Sequence, residues 1–260
     1  METGLAYSAS RDTTLAQWGQ GEGPLATYRG HTLTVSALDL SADETHLWSG
    51  SRDTSVRLWD VSTGQQRGMV ATPRNLVTCL KCMPGEEGTN VVVQGGEDLK
   101  LRLWDFRTPS SVPAQTLDGF VYFPLCLDVS EDGNYLLTGS KGFNSVGCEG
   151  RLWDRRTGQV VQEYNGHAQD VTACLLAPAA LAASSGGAVI TASKDQTIKA
   201  RVWGRESGQL LSDFAEPHRL CAATFTGGLY DLQLSEGEAG GETAAPVLSV
   251  ASSVAGQRIE

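Results

Sequence analysis

One short pattern recurs along this chain at nearly regular intervals, and it constrains the fold more than any other feature. The pattern is a Ser/Thr-x-Ser-x-Asp segment, followed by a short apolar stretch that ends in tryptophan. Three copies and two looser variants lead to Trp18, Trp59, Trp104, Trp153 and Trp203, which lie 41 to 50 residues apart. Self-similarity at such a period indicates repeated supersecondary units that bury a continuous core by stacking.

A second pattern completes each unit. Gly30-His31 and Gly166-His167 precede apolar stretches, and Trp-Asp pairs close the units at Trp59, Trp104 and Trp153. A Gly-His…Trp-Asp signature at this period resembles WD40 repeats, each of which forms a four-stranded blade of a β-propeller. The sequence therefore predicts an all-β fold, a WD40 β-propeller that forms one domain over residues 1–260.

The repeat boundaries predict six recognisable units, with the first and the last incomplete. We expect the units at approximately 1–29, 30–68, 69–115, 116–164, 165–212 and 213–260. The first unit opens at what should be the second strand of a blade. The pattern therefore predicts that the chain is part of a seven-bladed parent.

Less common segments carry a closer resemblance. They are Ser10-Arg11-Asp12, Ser51-Arg52-Asp53, Arg74-Asn75, Gly142-Phe143, Gly147-Cys148-Glu149 and Leu152-Trp153-Asp154. Over most of its length the chain resembles the WD repeat-containing protein 31 family. The resemblance implies a non-enzymatic protein-binding scaffold associated with cilia and ciliary trafficking, with no cofactor.

Charge and hydropathy exclude several other classes. The formal net charge of −10 argues against general binding of nucleic acid, which requires Lys and Arg to neutralise phosphates. The uncharged stretch Val171–Ser193 holds Pro178 and two adjacent glycines, so two strands joined by a loop explain it better than a membrane span. Met1–Ser10 lacks the features of a signal peptide, so we expect a cytoplasmic protein.

Six cysteines raise the question of metal or redox chemistry. Cys79 and Cys82 form a C-x-x-C, but they lie in Leu76–Met83, a predicted strand on which residues three apart face opposite ways. We therefore expect small buried hydrophobic side chains rather than a redox or zinc site, and no metal or cofactor.

Two constellations resemble a hydrolase triad. His31, Ser49 or Ser51, and Asp53 form the first, and His167, Thr191 or Ser193, and Asp195 form the second. An active site has no reason to recur once per blade, whereas a structural hydrogen-bond network does. The resemblance to WD40 proteins implies two structural tetrads, which we assign to His31, Ser51, Asp53 and Trp59, and to His167, Ser193, Asp195 and Trp203.

Two repeats lack these residues. Arg74-Asn75 takes the place of Gly-His in the third repeat, and Asp118-Gly119 takes that place in the fourth. We expect packing and neighbouring blades to hold these two units.

A functional surface is expected at the residue just before the turn Asp of each repeat. In WD40 propellers this position lies on the top face, and here it holds Arg11, Arg52, Glu97, Lys141 and Lys194. Four of the five are basic, which predicts a ring that receives acidic or phosphorylated peptides of a protein partner; ordinary solvated charges are the alternative. The insertion 142–150 extends the same face, and we predict that Cys148 and Glu149 contact the partner.

One further motif supports a competing function. The segments Trp104–Arg107 and Trp153–Arg156 both match Trp-Asp-x-Arg. In successive blades this motif resembles the docking box of substrate receptors of cullin-4 ubiquitin ligases, with Asp105, Arg107, Asp154 and Arg156 as the docking residues. Ordinary blade residues with a structural Trp-Asp are the alternative.

Overall fold

The chain folds into a series of small antiparallel sheets. The computed structural model describes residues 5–85, 90–108, 111–142, 144–177, 188–195, 200–204, 208, 210–214, 219–223, 229–234 and 248–249, with side chains through Asp195 and at 208 and 210. Within these ranges every regular element is a β-strand, and none is a helix able to cross a membrane.

In the described part of the chain six sheets follow one another, each with its strands in sequence order. The first sheet has three strands, β1 (Ala6–Ala9), β2 (Leu15–Trp18) and β3 (Pro24–Tyr28). The second has β4 (Val35–Leu40), β5 (His46–Ser51), β6 (Ser55–Asp60) and β7 (Gln66–Ala71). The third has β8 (Val77–Cys82), β9 (Val91–Gly96), β10 (Leu101–Asp105) and β11 (Gln115–Leu117).

The remaining three sheets repeat the same plan. The fourth has β12 (Pro124–Val129), β13 (Tyr135–Ser140), β14 (Gly150–Asp154) and β15 (Gln159–Tyr164). The fifth has β16 (Val171–Ala177), β17 (Ala188–Ser193), β18 (Ala200–Gly204) and β19 (Leu210–Phe214). The sixth has β20 (Arg219–Ala223), β21 (Leu229–Leu234) and β22 (Leu248–Ser249). Strands β7, β11 and β19 run a few residues past the predicted ends of their repeats.

The sequence of each strand reflects its place in the sheet. All six residues of β9 are buried, because a middle strand has a neighbouring sheet on both of its faces. The outer strand β7 instead alternates exposed and half-buried residues over most of its length.

The hydrophobic core lies between successive sheets. One cluster joins Trp48 and Leu58 of the second sheet to Val77, Val92 and Trp104 of the third. Similar clusters join the first sheet to the second, the third to the fourth, and the fourth to the fifth. Sheets that stack face to face in chain order are the blades of a β-propeller, so the predicted fold class is confirmed, and the sheets are called blades below.

The first strands of neighbouring blades lie beside one another and are linked by polar contacts. Asp39 on β4 accepts a hydrogen bond from the backbone N–H of Cys82 on β8 at 2.8 Å. Asp128 on β12 accepts one from the N–H of Leu176 on β16 at 2.7 Å. Lys81 lies between the two carboxylates, with its Nζ 3.5 Å from Asp39 and 3.9 Å from Asp128. These contacts fix the inner edge of four consecutive blades.

Strand β8 contains both cysteines of the C-x-x-C and places their side chains on different faces. Cys79 packs in the cluster between the third and fourth blades, whereas Cys82 packs against the cluster between the second and third. Burial raises the pKa of Cys79 to about 12, so its thiol stays protonated. The two thiols lie on opposite faces of one strand, as predicted, and cannot bind one metal ion together.

Candidate functional site: the top face and the networks beneath it

A repeated backbone contact builds one end of the blades. After the second strand of a blade, the next residue donates its N–H to the carbonyl of the residue just before the first strand. These bonds are Arg52 to Thr34 at 2.9 Å, Glu97 to Leu76 at 3.0 Å, Lys141 to Phe123 at 2.8 Å and Lys194 to Asp170 at 3.1 Å. The turns that carry the predicted functional residues are thereby held at one end of the blades. We call this end the top face.

A buried polar network lies beneath the top face in the second blade. His31 Nδ1 lies 2.9 Å from Asp53 Oδ2, and His31 Nε2 lies 2.8 Å from the hydroxyl of Ser49. Trp59 Nε1 donates to the same hydroxyl at 2.8 Å. A neutral imidazole fits both contacts, with its Nδ1–H donating to Asp53 and its Nε2 accepting from the Ser49 hydroxyl, which is left free to donate because it accepts from Trp59. Every polar group in this chain of contacts therefore has a partner.

The environment holds both titrating groups in these states. Burial lowers the pKa of His31 and outweighs the opposing effect of Asp53. Burial alone would raise the pKa of Asp53, but hydrogen bonds from Ser55, Thr32 and His31 lower it to about 2. At neutral pH the blade therefore contains a neutral imidazole beside a carboxylate.

The serine in this network is not the predicted one. Ser49 contacts His31 and Trp59, whereas the hydroxyl of Ser51 donates to the carbonyls of Leu33 and Thr34. The assignment of Ser51 to the tetrad was therefore wrong. Both serines point to the same side of β5, and Ser51 lies one step nearer the turn, beyond the reach of the imidazole.

The fifth blade contains the same kind of network, and here too the predicted serine is not part of it. His167 Nδ1 lies 3.2 Å from Asp195 Oδ2, and Nε2 lies 2.8 Å from the hydroxyl of Thr191. Ser193 instead donates to the carbonyl of Gln169, so its predicted role was wrong in the same way. The backbone of Trp203 lies in β18, but its side chain is outside the described residues.

The third blade contains a different network, which the sequence analysis missed. Trp104 Nε1 donates to Gln94 at 3.0 Å, and Arg102 pairs with Asp98. With its amide turned to match these partners, Asn75 donates to Asp98 at 3.0 Å and accepts from Arg102 at 3.1 Å and Gln94 at 2.7 Å. An amide pair thus replaces histidine and serine, and packing is not the sole support of this blade. The turn carboxylate Asp98, in a repeat without histidine, was the signal for it.

The fourth blade uses an apolar substitute. Phe120 lies four residues before β12, as His31 lies four residues before β4, and it stacks on Trp153 with ring centroids 4.6 Å apart. Trp153 Nε1 donates to Thr138 at 3.0 Å. A phenyl ring needs no carboxylate partner, which accounts for a turn without Asp in this repeat.

The predicted basic positions have unequal surroundings. Arg52 Nη1 lies 3.6 Å from Glu97, and Lys194 Nζ lies 3.0 Å from Asp170. Arg11 and Lys141 are exposed, and neither forms an ion pair with any residue that the structure describes. Two of the four cations are therefore already paired on the protein itself.

Cys148 and Glu149, near the end of the insertion in the fourth blade, turn inward, whereas Val146 is 57% exposed. Cys148 is 3% exposed, and burial raises the pKa of its thiol. The Glu149 side chain is 12% exposed and pairs with Arg151 at 3.1 Å. The prediction that Cys148 and Glu149 contact a partner was therefore wrong, because Cys148 is buried inside the blade and Glu149 forms an ion pair with the partly buried Arg151.

The Trp-Asp-x-Arg segments lie at the opposite end of the blades, where the third strand ends. Arg107 makes a forked contact with Asp105, with Nε 2.9 Å from Oδ1 and Nη2 2.6 Å from Oδ2. Arg156 Nη2 lies 3.4 Å from Asp154. The Arg107 and Arg156 side chains are 55% and 71% exposed, and we call this end the bottom face.

Metal chemistry has no visible support in the described part of the chain. Across those residues no group of three or more His, Cys, Asp or Glu side chains is placed to hold a metal ion.

Comparison with known families identifies the repeats. The profile of the family described as WD domain, G-beta repeat matches residues 22–60 and 158–200. The chain therefore contains WD40 repeats, as predicted. Membership of the WD repeat-containing protein 31 family stays a prediction.

Several curated proteins are similar over part of their length. Eukaryotic translation initiation factor 3 subunit I of Taeniopygia guttata is 32% identical over 117 residues, which cover 43% of this chain and 35% of that protein. The Bos taurus subunit I is 26% identical over 215 residues, covering 76% and 59%. The ribosome biogenesis protein WDR12 homolog of Oryza sativa subsp. japonica is 39% identical over 87 residues, covering 34% and 19%. The chain spans less than two thirds of each of these relatives.

Proposed function

We propose that this chain is a non-enzymatic scaffold whose top face binds acidic segments of other proteins. The observation that carries the proposal is the contrast between the two layers at this end of the blades. Arg52, Lys141 and Lys194 are exposed and their backbone is fixed by hydrogen bonds, whereas the residues with catalytic character lie beneath them. A rigid frame that presents exposed turns is well suited to binding and costs little ordering entropy.

The buried networks support a structural role rather than catalysis. The His31 and His167 side chains are both 0% exposed, so no substrate atom can approach either imidazole without opening the blade. The same geometry occurs in two blades, with serine in one and threonine in the other. A nucleophile and its base have no need of such duplication, whereas a stack of equivalent blades does.

The similar proteins support a role for this chain in binding other proteins within larger assemblies. Two of the similar proteins are named as a subunit of an initiation factor, and the third is named as a ribosome biogenesis protein. A protein-binding propeller fits such settings, but fold alone does not fix the partner. From the resemblance to the WD repeat-containing protein 31 family, we further propose a cytoplasmic location with ciliary trafficking proteins as partners. Imaging of the tagged protein in ciliated cells tests that location.

A second candidate function is substrate reception for a cullin-4 ubiquitin ligase. The observation that favours it is the exposure of Arg107 and Arg156 on the bottom face of successive blades. Each guanidinium also contacts its own aspartate, which equally suits a turn-stabilising role.

The two candidates use opposite faces, so one experiment separates them. The full chain is expressed in ciliated cells in three forms, unaltered, Arg52→Glu/Lys194→Glu on the top face, and Arg107→Ala/Arg156→Ala on the bottom face. Partners are captured by affinity purification and identified by mass spectrometry, and thermal melting confirms that each variant is folded. The four side chains are between 48% and 71% exposed, so each double variant is expected to fold.

Loss of partners from the top-face variant alone supports the scaffold proposal. Loss of cullin-4 adaptor components from the bottom-face variant alone replaces it with the ligase function. Retention of every partner by both variants contradicts the ligase function and a top face that binds through Arg52 and Lys194.

A further inference from the structure

The junction between the third and fourth blades presents several apolar side chains together on the top face. A cavity of 250 Å³ opens there, lined by Leu99, Val121, Tyr122, Phe123, Lys141 and Gly142. Val121 is 67% exposed. This volume is smaller than pockets that hold a drug-sized ligand and suits a single side chain.

The second and fifth blades have polar or smaller residues at most of the equivalent positions, and the apolar residues found at such positions elsewhere are Leu33, which is 53% exposed, and Leu76. Leu99 follows the turn Asp with a φ of 64°, where Thr13 and Thr54 occupy the same left-handed position with φ of 79° and 72°. Leu99 is half-buried and packs against the core cluster between the third and fourth blades, so its side chain forms the inner wall of the cavity as well as part of the core.

The segment before β12 shows the same change. Val121 lies three residues before the first strand of its blade, where the second and fifth blades have Thr32 and Ala168. Phe123 lies immediately before that strand, where those blades have Thr34 and Asp170. Three of the lining residues are therefore larger or more apolar than their counterparts.

The replacement at Phe123 also changes the charge balance. In the fifth blade Lys194 has its counter-ion at this position, since its Nζ lies 3.0 Å from Asp170. In the fourth blade Lys141 has the Phe123 ring instead, with Nζ 5.5 Å from the ring centroid. The ammonium group of Lys141 lies over a ring at the mouth of an apolar cavity, so it is available to pair with a carboxylate of a bound peptide.

We propose that this cavity binds one large apolar side chain of a partner peptide, while Lys141 pairs with the carboxylate of an adjacent Asp or Glu. The inference rests on the proposed top-face binding and specifies its partner as an acidic-apolar peptide. It places the contact at the third and fourth blades, away from the already paired Arg52 and Lys194.

Fluorescence anisotropy on the purified full chain tests the proposal. The probes are fluorescein-labelled Gly/Ser nonapeptides with a central Leu, Phe or Trp flanked by Asp or Glu. Companion peptides carry Asn or Gln in place of the acids, or Ala in place of the apolar residue. We expect each companion to bind about tenfold more weakly or worse, because each lacks one of the two contacts.

Protein variants locate the contact. Lys141→Glu and Val121→Asp are expected to weaken the acidic peptides at least about tenfold, Lys141→Arg to retain them, and Lys194→Glu to leave them unchanged. Lys141→Glu should also gain affinity for peptides with Lys in place of the acids. This charge swap shows that the variant is folded.

Absence of saturable binding of any acidic-apolar peptide overturns the proposal, and so does equal binding by Lys141→Glu or by the amide peptides. If the Arg52→Glu/Lys194→Glu variant still loses its cellular partners in that case, top-face binding stands and only the assignment to this cavity is wrong.

Discussion

At the scale of single residues, one hydroxyl organises the buried network of the second blade. The Ser49 hydroxyl donates a hydrogen bond to Nε2 of His31 and accepts one from Nε1 of Trp59, and its side chain is fully buried. A buried donor or acceptor that loses its partner costs about 1–3 kcal/mol. The two ring contacts therefore depend on a single oxygen, whose position is taken by threonine in the fourth and fifth blades.

A pair of substitutions isolates the contribution of that oxygen. Ser49→Thr should be tolerated, because Thr191 and Thr138 hold the same place in their own blades. Ser49→Val has the same shape without the hydroxyl, and we expect it to lower the free energy of unfolding by about 1–3 kcal/mol relative to Ser49→Thr. Urea unfolding followed by tryptophan fluorescence measures the difference. Equal midpoints for the two variants would show that the network contributes nothing.

The same network predicts how stability depends on pH. The folded-state pKa of His31 lies below its ordinary value of 6.5, so between these values the unfolded chain binds a proton that the folded chain does not. The free energy of unfolding should therefore fall as the pH drops below about 6.5. It should fall again between about 4 and 2, where Asp53, with a folded pKa of about 2, loses its charge.

Urea midpoints at pH 7.5, 6.5 and 5.5 check the first of these windows. A His31→Phe/Asp53→Asn variant copies the aromatic contact of Phe120 and has no imidazole at this position. Its midpoint should decline less than that of the unaltered chain over this range. An equally steep decline would assign the effect to other groups.

The residue scale also shows where sequence analysis loses precision. Ser49 and Ser51 are two apart on one strand, so alternation places both on the same side and cannot decide which one meets the imidazole. Only the approach of the preceding loop decides it. The predictions for Cys148 and Glu149 were wrong for a related reason, since the length of an insertion predicts exposure on average but not the direction of individual side chains.

At the scale of the blade, different chemistry supports the same four-stranded sheet. The amide network of the third blade depends on Gly96, which occupies the place of Ser51 in the second blade. A Cβ atom on Gly96 would overlap the amide of Asn75. The absence of a side chain there and the presence of asparagine two residues before β8 are therefore one structural solution.

Gly96→Ala tests this dependence. We expect it to lower the free energy of unfolding by about 1–3 kcal/mol, because the added methyl group displaces a fully paired amide. In an Asn75→Ala background the same change should cost less, since the space is empty. A double-mutant cycle from urea unfolding should give a coupling of about 0.5–3 kcal/mol, and strict additivity would contradict the proposed overlap.

Elements were the most predictable level of this fold. Recurrent tryptophans and alternating or fully apolar strands predict the sheets, because burial between blades dictates those patterns locally. The sequence predicted the third and fourth blades as repeats, but it did not predict the contacts that support them. Their supports, Asn75 with Gln94 and Phe120 with Trp153, depend on contacts between segments about 20 to 35 residues apart, which local patterns do not encode.

At the scale of the whole molecule, the blades are joined by their cores and by the polar contacts of their first strands. Asp128 is buried, and burial raises the pKa of its carboxyl. It nevertheless provides the acceptor for Leu176 and a partner for Lys81, so it connects three successive blades. Removal of its carboxylate should therefore weaken the junctions between blades rather than the contacts within one sheet.

Asp128→Ala should lower the free energy of unfolding by about 1–3 kcal/mol, whereas Asp128→Asn keeps an acceptor and should cost less. Amide hydrogen exchange gives a local measure, because the Leu176 amide loses its partner only in Asp128→Ala. Faster exchange at Leu176 in that variant is the expected result. An unchanged exchange rate would mean that this bond does not hold the blades together.

Each buried network closes within its own blade, and this has a consequence for how such a protein can change over time. The family profile matches residues 22–60 and 158–200, the regions of the two histidine networks, and passes over the blades supported by Asn75 and Phe120. A support confined to one blade can be exchanged by a few compensating substitutions without disturbing the others. Blades can therefore diverge one at a time, and motif matching alone undercounts the repeats that such divergence leaves behind.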